Sequence, residues 1–412
     1  MKRTFFSSVW NKKFWLIFVI LINGLPIISW GQVEGEAIAE ELAKEGFENI
    51  RWTETQTEII YTIENSAYKI HSVGVSRSND IIQKNIFSND KQCKIIVTQL
   101  NIPILAVTLS PNTNNNNTNE QVYDLWKICY ELEDSWNKVK KEKIKNSSLF
   151  NVDIVIYPQI SFRNLIITQI YQALFTMSPA IEISLWKGMK LTGQVIIPIY
   201  NDGYGSLQDK IHPGYLTLSQ SFRLPYNILG KATFGYFNQN RYGIDLEMFH
   251  PFKDERFSLN ARIGVTAIGY WNGFKLHYDR DLNIIYSLGL NYYWPQYDTQ
   301  FSIKGEQYLL KEKGIKFEMI RHFKYASIGF YAEKAQYANS NGGFMFQVLL
   351  PPYNHKRSKY LPKLNTSLST GITYNAGNEQ YYYKMYKAEP SDNIIKRNEY
   401  NPFFIISKLK ND

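Results

Sequence analysis

The chain has 412 residues, 46 Lys plus Arg against 37 Asp plus Glu, and 15% aromatic residues, with Tyr 30, Phe 24 and Trp 9. After Gln32 no apolar stretch approaches the ~20 residues of a membrane helix, which excludes a helical membrane domain. The two cysteines, Cys93 and Cys129, exclude a disulfide-rich scaffold, and their spacing matches no metal site.

The first element is a leader. Lys2, Arg3, Lys12 and Lys13 form a basic start, and Phe14 to Ile28 is an apolar run broken only by Asn23, Gly24 and Pro26. Ser29-Trp30-Gly31 then places small residues at both key positions of a cut before Gln32. This anatomy reads as a secretory signal peptide over residues 1–31. An uncleaved anchor is disfavoured, because the run is short for a span of ~20 residues and contains Pro26. Export would put Cys93 and Cys129 in an oxidising compartment, where one disulfide or two buried free thiols both remain open.

Residues 32–146 read as a periplasmic α/β domain. Gly35–Lys44 favours a helix, Gly46 punctuates it, and strand-like runs follow at Phe47–Glu54 and Glu58–Glu64. A polar, helix-compatible stretch covers 68–88, and two further strands follow at Lys94–Leu100 and Ile102–Leu109. The order helix–strand–strand occurs twice and hints at a duplication. Pro111 and the Asn-rich run Asn112–Asn119 form a loop. A helix is expected from Glu120 to Lys143, since Val122, Leu125, Trp126, Cys129 and Leu132 share a face.

From about residue 150 the period becomes two. Leu216, Leu218, Phe222 and Leu224 oppose Thr217, Ser219, Ser221 and Arg223; Leu259, Ala261, Ile263 and Val265 oppose Ser258, Asn260, Arg262 and Thr266. Leu282 to Tyr292 makes another stripe, and Phe301 with Ile303 and Ile315 with Phe317 continue it opposite Lys304, Glu306, Lys316 and Glu318. Alternation of this kind gives a strand one apolar face. Strands of roughly ten residues suit a tilted bilayer crossing, and a barrel built from them is polar on average while greasy outside. Turn signals stand at Asn238-Gln239-Asn240, Asn272-Gly273, Lys313-Gly314 and Asn341-Gly342. Gly264, Gly289, Gly329 and Gly371 fall on the polar face, and Tyr270, Trp271, Tyr292, Tyr293 and Trp294 cluster near strand ends as in an interfacial girdle.

The expected fold is therefore an α+β N-terminal domain followed, over 147–412, by an antiparallel transmembrane β-barrel of roughly 14 strands. Phe403-Phe404-Ile405-Ile406 precedes a polar tail, so either the last strand carries that tail or an earlier strand closes the barrel.

The charge is uneven. Residues 32–146 hold 13 Lys/Arg against 17 Asp/Glu, and residues 147–412 hold 29 against 20. The basic balance of the second part favours anionic partners such as acidic glycans or lipid phosphates, or else is a solvated surface with no chosen partner. The strand polar face places Arg223, Arg262, Lys304, Glu306, Lys316 and Glu318 in the lumen, which would be an open pore or a plugged barrel whose charges pair.

Several segments resemble the YjbH-like exopolysaccharide biosynthesis family, which includes the group 4 capsule protein GfcD. They are Gly46-Phe47-Glu48-Asn49-Ile50, Tyr61-Thr62-Ile63-Glu64-Asn65 with Tyr68-Lys69, and Leu185 to Gln194 running on to Ile197-Pro198-Ile199-Tyr200-Asn201-Asp202. Gly235-Tyr236-Phe237 followed by Arg241-Tyr242-Gly243-Ile244 is similar as well. The resemblance implies an outer-membrane protein that secretes or assembles extracellular polysaccharide, with outer-membrane lipid, an acidic polysaccharide and other envelope export proteins as partners. Relatives in that family are often longer, so this chain looks like a reduced version, and the family supplies no catalytic residues.

No enzyme motif stands out. The six histidines show no metal-ligand spacing, and no nucleophile motif is present. His277-Tyr278-Asp279-Arg280-Asp281 reads as a solvated loop, and Gly203 with Gly205 lacks the context of a phosphate loop. A cofactor, a metal or nucleic acid is not expected. A diffusion porin and an outer-membrane enzyme acting on lipid or glycan are the competing readings.

Overall fold

The computed structural model describes residues 30–85, 91–109, 126–164, 171–358, 361–376, 384–393, 395 and 400–410. Residues 1–29 of the leader read over 1–31, and the Asn-rich run, lie outside the described residues.

The N-terminal unit runs α1 (Trp30–Glu45), β1 (Glu48–Glu54), β2 (Glu58–Glu64), α2 (His71–Asn85), β3 (Gln92–Gln99) and β4 (Ile102–Leu109). β2 and β3 are parallel at the centre of the sheet, because α2 supplies the crossover that a parallel connection requires. α1 and α2 bury Ile38, Leu42, Val75 and Ile82 against Ile59, Tyr61, Ile63 and Ile95. The long helix expected from Glu120 to Lys143 is corrected in its described part. Trp126–Cys129 joins the sheet beside β4 as β5, and only Ser135–Val139, α3, is helical. Trp126, Ile128 and Tyr130 are buried and Lys127 is exposed, so the same apolar spacing also holds a period of two. The open edge of β4 selects that alternative, since it offers unpaired backbone groups to the segment.

From Val152 the chain builds one antiparallel wall. Its strands are β6 (Val152–Asn164), β7 (Tyr171–Ser184), β8 (Met189–Asn201), β9 (His212–Arg223), β10 (Leu229–Phe237), β11 (Arg241–Pro251) and β12 (Phe257–Asn272). After β13 (Lys275–Tyr278), which only prolongs the β12 hairpin beyond the wall, come β14 (Asn283–Trp294), β15 (Thr299–Gln307), β16 (Lys313–His322), β17 (Ala326–Ala335) and β18 (Asn341–Leu349). β19 (Lys363–Thr366) and β20 (Ser369–Asn375) complete it. Fourteen strands thus form the wall. β19 pairs with β6 and β20 with β18, and the two lie end to end, so they occupy one place on the circumference. The circumference then has an odd number of places, which makes the first and last strands run the same way and their pairing parallel.

The chain's end does not close the barrel. Phe403 to Ile406 belong to a helix, α4 (Pro402–Lys410), and closure uses the earlier strand β19–β20. Two expected turns are also corrected: Lys313-Gly314 and Asn341-Gly342 begin β16 and β18. Asn238-Gln239-Asn240 does turn, with Gln239 and Asn240 at positive φ, as a tight hairpin needs.

The wall is inside out relative to a soluble protein. Ile244, Leu288, Ile303 and Phe330 are more than half exposed outward, whereas Thr192, Thr217, Thr233, Asp245 and Gln347 are buried inward. β17 alternates without a break from buried Ser327 through exposed Phe330 to buried Glu333. Such a surface is soluble only in lipid, because exposing it to water would leave a continuous apolar belt unburied. The chain has the fold of an outer-membrane β-barrel. No helix among the described residues is long and apolar enough to cross a membrane.

Candidate functional site

The wall strands bring five of the six sequence-predicted lumen residues together. Arg262, Lys304, Glu306, Lys316 and Glu318 line one cavity of about 830 Å³ inside the barrel. Lys304 and Lys316 are direct cross-strand neighbours, an arrangement that like charges disfavour. Glu318 offsets it by accepting from Lys304 at 2.6 Å and Lys316 at 3.2 Å, and Glu333 stands 3.8 Å from Lys316. Two strands away along the wall, Arg262 of β12 donates to Asp245 at 3.0 Å and reaches Glu247 at 3.8 Å. The lumen is therefore charged in both signs and paired, and it does not present the uncompensated basic surface that net charge suggested.

The chain itself occupies part of the lumen beside this cavity. Beyond β20 the segment 384–393 descends the lumen from the end farther from the N-terminal domain. Leu309 donates its N–H to the Lys384 carbonyl there, and the Lys387 N–H donates to Asn238 Oδ1. Tyr386 is fully buried, stacks on Phe237 with centroids 5.2 Å apart, and donates its hydroxyl to Asp245 at 2.6 Å. The Arg262 guanidinium lies over the same ring at 4.8 Å. Lower down, Glu389 meets Lys231 at 3.0 Å and Lys190 at 3.6 Å. Ile395 then packs on Ile320, Tyr331 and Met345. This inner segment is the functional feature that sequence reasoning missed. Residues 384–393 carry no hydrophobic period, and only the aromatic and acidic anchors Tyr386 and Glu389 mark them.

One wall glycine makes room for the segment. A Cβ on Gly264 would fall 1.7 Å from the Tyr386 hydroxyl oxygen, so the phenol fills the space a side chain would take. Gly264→Val is expected to push Tyr386 off Asp245 and loosen residues 384–393, at an overpacking cost of about 1–3 kcal/mol. Hydrogen exchange read by mass spectrometry checks this. Faster exchange in 384–393 with unchanged protection in β11 and β12 is the expected pattern, and equal protection everywhere would count against it.

The N-terminal domain and α4 close the near end. Gly188 donates its N–H to the Leu100 carbonyl at 2.8 Å, and the Glu255 carboxylate accepts from the Tyr130 N–H at 2.7 Å. Lys408 of α4 pairs with Asp298 at 2.7 Å, while Ile405 enters the domain's own hydrophobic core. Lys69 donates to the carbonyls of Leu350 and Ser367 and to the Thr366 hydroxyl. Burial, and then the nearby Lys363, pull the Lys69 ammonium down to about 8, and burial raises the Glu255 carboxyl above its usual range. Both shifts measure how far this joint excludes water.

Arg223 is the sixth predicted lumen residue, and it is not in the lumen. It lies at the near end of β9 and donates to the carbonyls of Pro103, Ile104 and Tyr130 and to Asn227 Oδ1. Strand parity fails here because the last residue of a strand is free to turn toward stronger acceptors, and the domain offers three. Of the two states open for the cysteines, the structure has free thiols. Cys93 on β3 stands opposite Leu109 of β4 and Cys129 on β5 stands opposite Ala106, so they are more than two strand spacings, or about 9–10 Å, apart and beyond the reach of a disulfide. Burial pushes the Cys93 thiol up to about 12, so it is a packing residue.

No family model and no curated protein matches the chain. Among solved structures it is similar to OmpT, an outer membrane protein of Vibrio cholerae. The in-vitro folded form shares 11% identity and a TM-score of 0.26 over 48% of this chain and 80% of that one. A form lacking loop L8 shares 11% identity and a TM-score of 0.25 over 48% of this chain and 86% of that one. Likenesses this distant carry no functional inference.

Proposed function

We propose that this chain is a non-enzymatic outer-membrane protein that takes part in exporting or assembling an exopolysaccharide or capsule, with its N-terminal domain in the periplasm. The observation that supports this reading most is a hydroxyl-rich, charge-paired lumen that the chain keeps filled with its own segment 384–393 and closed at one end by a docked domain. A general diffusion porin needs a standing aqueous path, and this lumen holds an internal occupant fixed by ion pairs. A barrel that is shut at rest suits a task performed only when partners engage it. The resemblance to YjbH-like proteins supplies the substrate class. The Lys190 and Lys231 ammonium groups that hold Glu389 are chemically able to hold the carboxylates of an acidic sugar chain in its place. The domain that closes the near end is the natural contact for other envelope export proteins.

Deleting the gene and measuring glycan in two compartments tests the reading. Surface polysaccharide is expected to fall while periplasmic polysaccharide accumulates. Unchanged amounts in both compartments would overturn it.

A further inference from the structure

The wall is hydrogen-bonded unequally around its circumference. β6 and β19 share a parallel ladder of only four residue pairs, Lys363↔Asp153 to Thr366↔Ile156. Just beyond it Ser367 donates its N–H to the Ile156 carbonyl, and the Thr370 hydroxyl donates to the Pro158 carbonyl at 2.8 Å. From Tyr157 onward β6 pairs only with β7, and β20 pairs only with β18, among the described residues. β20 lies beside β6 there without a ladder. Proline accounts for part of this. Pro158 has no N–H to give, and Pro179 and Pro198 recur on the next two strands. The β7–β8 register shifts between Phe175 and Thr176 as well. Other neighbours, such as β11 with β12, pair over eleven consecutive residues.

On the lumen side of this seam stand uncharged polar groups with no partner among the described residues. Gln347 is fully buried on β18, and both its amide nitrogen and its oxygen are unpaired. The Gln159 amide nitrogen on β6 and the buried Ser369 hydroxyl on β20 are unpaired too. Gln347 sits opposite Gly371 in register. A Cβ on Gly371 would fall 2.7 Å from the Gln347 Cβ, so a side chain there would fill the space between the β18 carboxamide and the seam. The lumen cavity extends to Gln347, Gly371 and Thr373. Buried polar groups ordinarily find partners, and a cluster of unpaired amides and a hydroxyl, without a formal charge among them, is chemically matched to sugar hydroxyls.

We infer that the wall opens sideways between β6 and β20, and that Gln159, Gln347 and Ser369 take the sugar head of a membrane amphiphile whose hydrocarbon tail stays in the bilayer. The near end of the barrel is closed by the domain and its axis is filled by 384–393, so the weakly paired seam is the way in that breaks the fewest hydrogen bonds. The idea deepens the glycan reading proposed above and rests on it for the sugar class alone.

The test uses the full-length protein. In lipid nanodiscs, amide exchange in 157–164 and 369–375 is expected to run about 100-fold faster than in 257–268, as for a unit that opens independently. Protection equal to that of 257–268 would overturn the sideways opening. In parallel, native mass spectrometry compares retention of dodecyl maltoside with that of dodecyl phosphocholine. Preferential retention of the maltoside by the wild type is expected, falling about tenfold in Gln159→Leu/Gln347→Leu and unchanged in Ser287→Ala on another part of the wall. The wild-type preference needs no variant to fold, and its absence would overturn the sugar patch. A deletion strain with normal glycan would end the export reading while leaving both of these measurements standing, so the two failures are distinguishable.

Discussion

Glu389→Lys is expected to expel residues 384–393 from the lumen. In the native chain the Glu389 carboxylate lies between Lys231 and Lys190, and both ammonium groups keep wall partners of their own, Glu247 and Glu182. Lysine at 389 would set three cations within a few ångströms of one another in a space shared with little water. Breaking a buried ion pair costs about 3–5 kcal/mol, and a partly wet lumen reduces that to roughly 2–3 kcal/mol. The population with the segment displaced should therefore rise about 30- to 150-fold. Thiol labelling reads it directly. Ala388 is fully buried beside Glu389, so a cysteine placed there by Ala388→Cys should react with a maleimide that much faster when Glu389→Lys is added. Identical rates in the two backgrounds would show that the ion pairs do not hold the segment.

Arg223→Ala should loosen the docking of the domain onto the barrel. Its guanidinium satisfies the carbonyls of Pro103, Ile104 and Tyr130 at once. Each orphaned carbonyl in this half-buried joint would cost of order 1 kcal/mol, for a total of about 2–4 kcal/mol. The expected result is faster amide exchange at Tyr130 and Gly188, whose N–H groups bond across the joint, by about 30-fold or more. The domain's own β2 and β3 should stay protected. If Tyr130 and Gly188 keep their wild-type protection, the joint draws its strength from elsewhere, and the hydrophobic insertion of α4 is the next candidate.

How much of this was legible in the sequence follows from what fixes each feature. Strand parity in the wall is local, since every second side chain must meet lipid, and so Arg262, Lys304, Glu306, Lys316 and Glu318 could be placed inward from their neighbours alone. Gly264 was visible as a small residue on the polar face, but its purpose depends on Tyr386, more than a hundred positions later. Trp126–Cys129 was misread because four residues of alternating burial are too few to outweigh a helical spacing; the free edge of β4 decides the matter, and edges are a property of the folded sheet. Arg223 obeyed the period and broke the rule because it ends its strand under another domain. Segment 384–393 has no period at all, being held by individual contacts at each level of the lumen. Long-range partners of that kind leave little trace in composition or spacing.

The position of α4 ties the two ends of the chain together by way of the lumen. The chain leaves the last wall strand at the far rim, passes down inside the cylinder and re-emerges at the near rim, where Ile405 joins a core that also contains Ile38 and Leu42 of α1. The core of the N-terminal fold is complete only with that tail in place, so withdrawing the inner segment should also loosen the fold at the other end of the polypeptide.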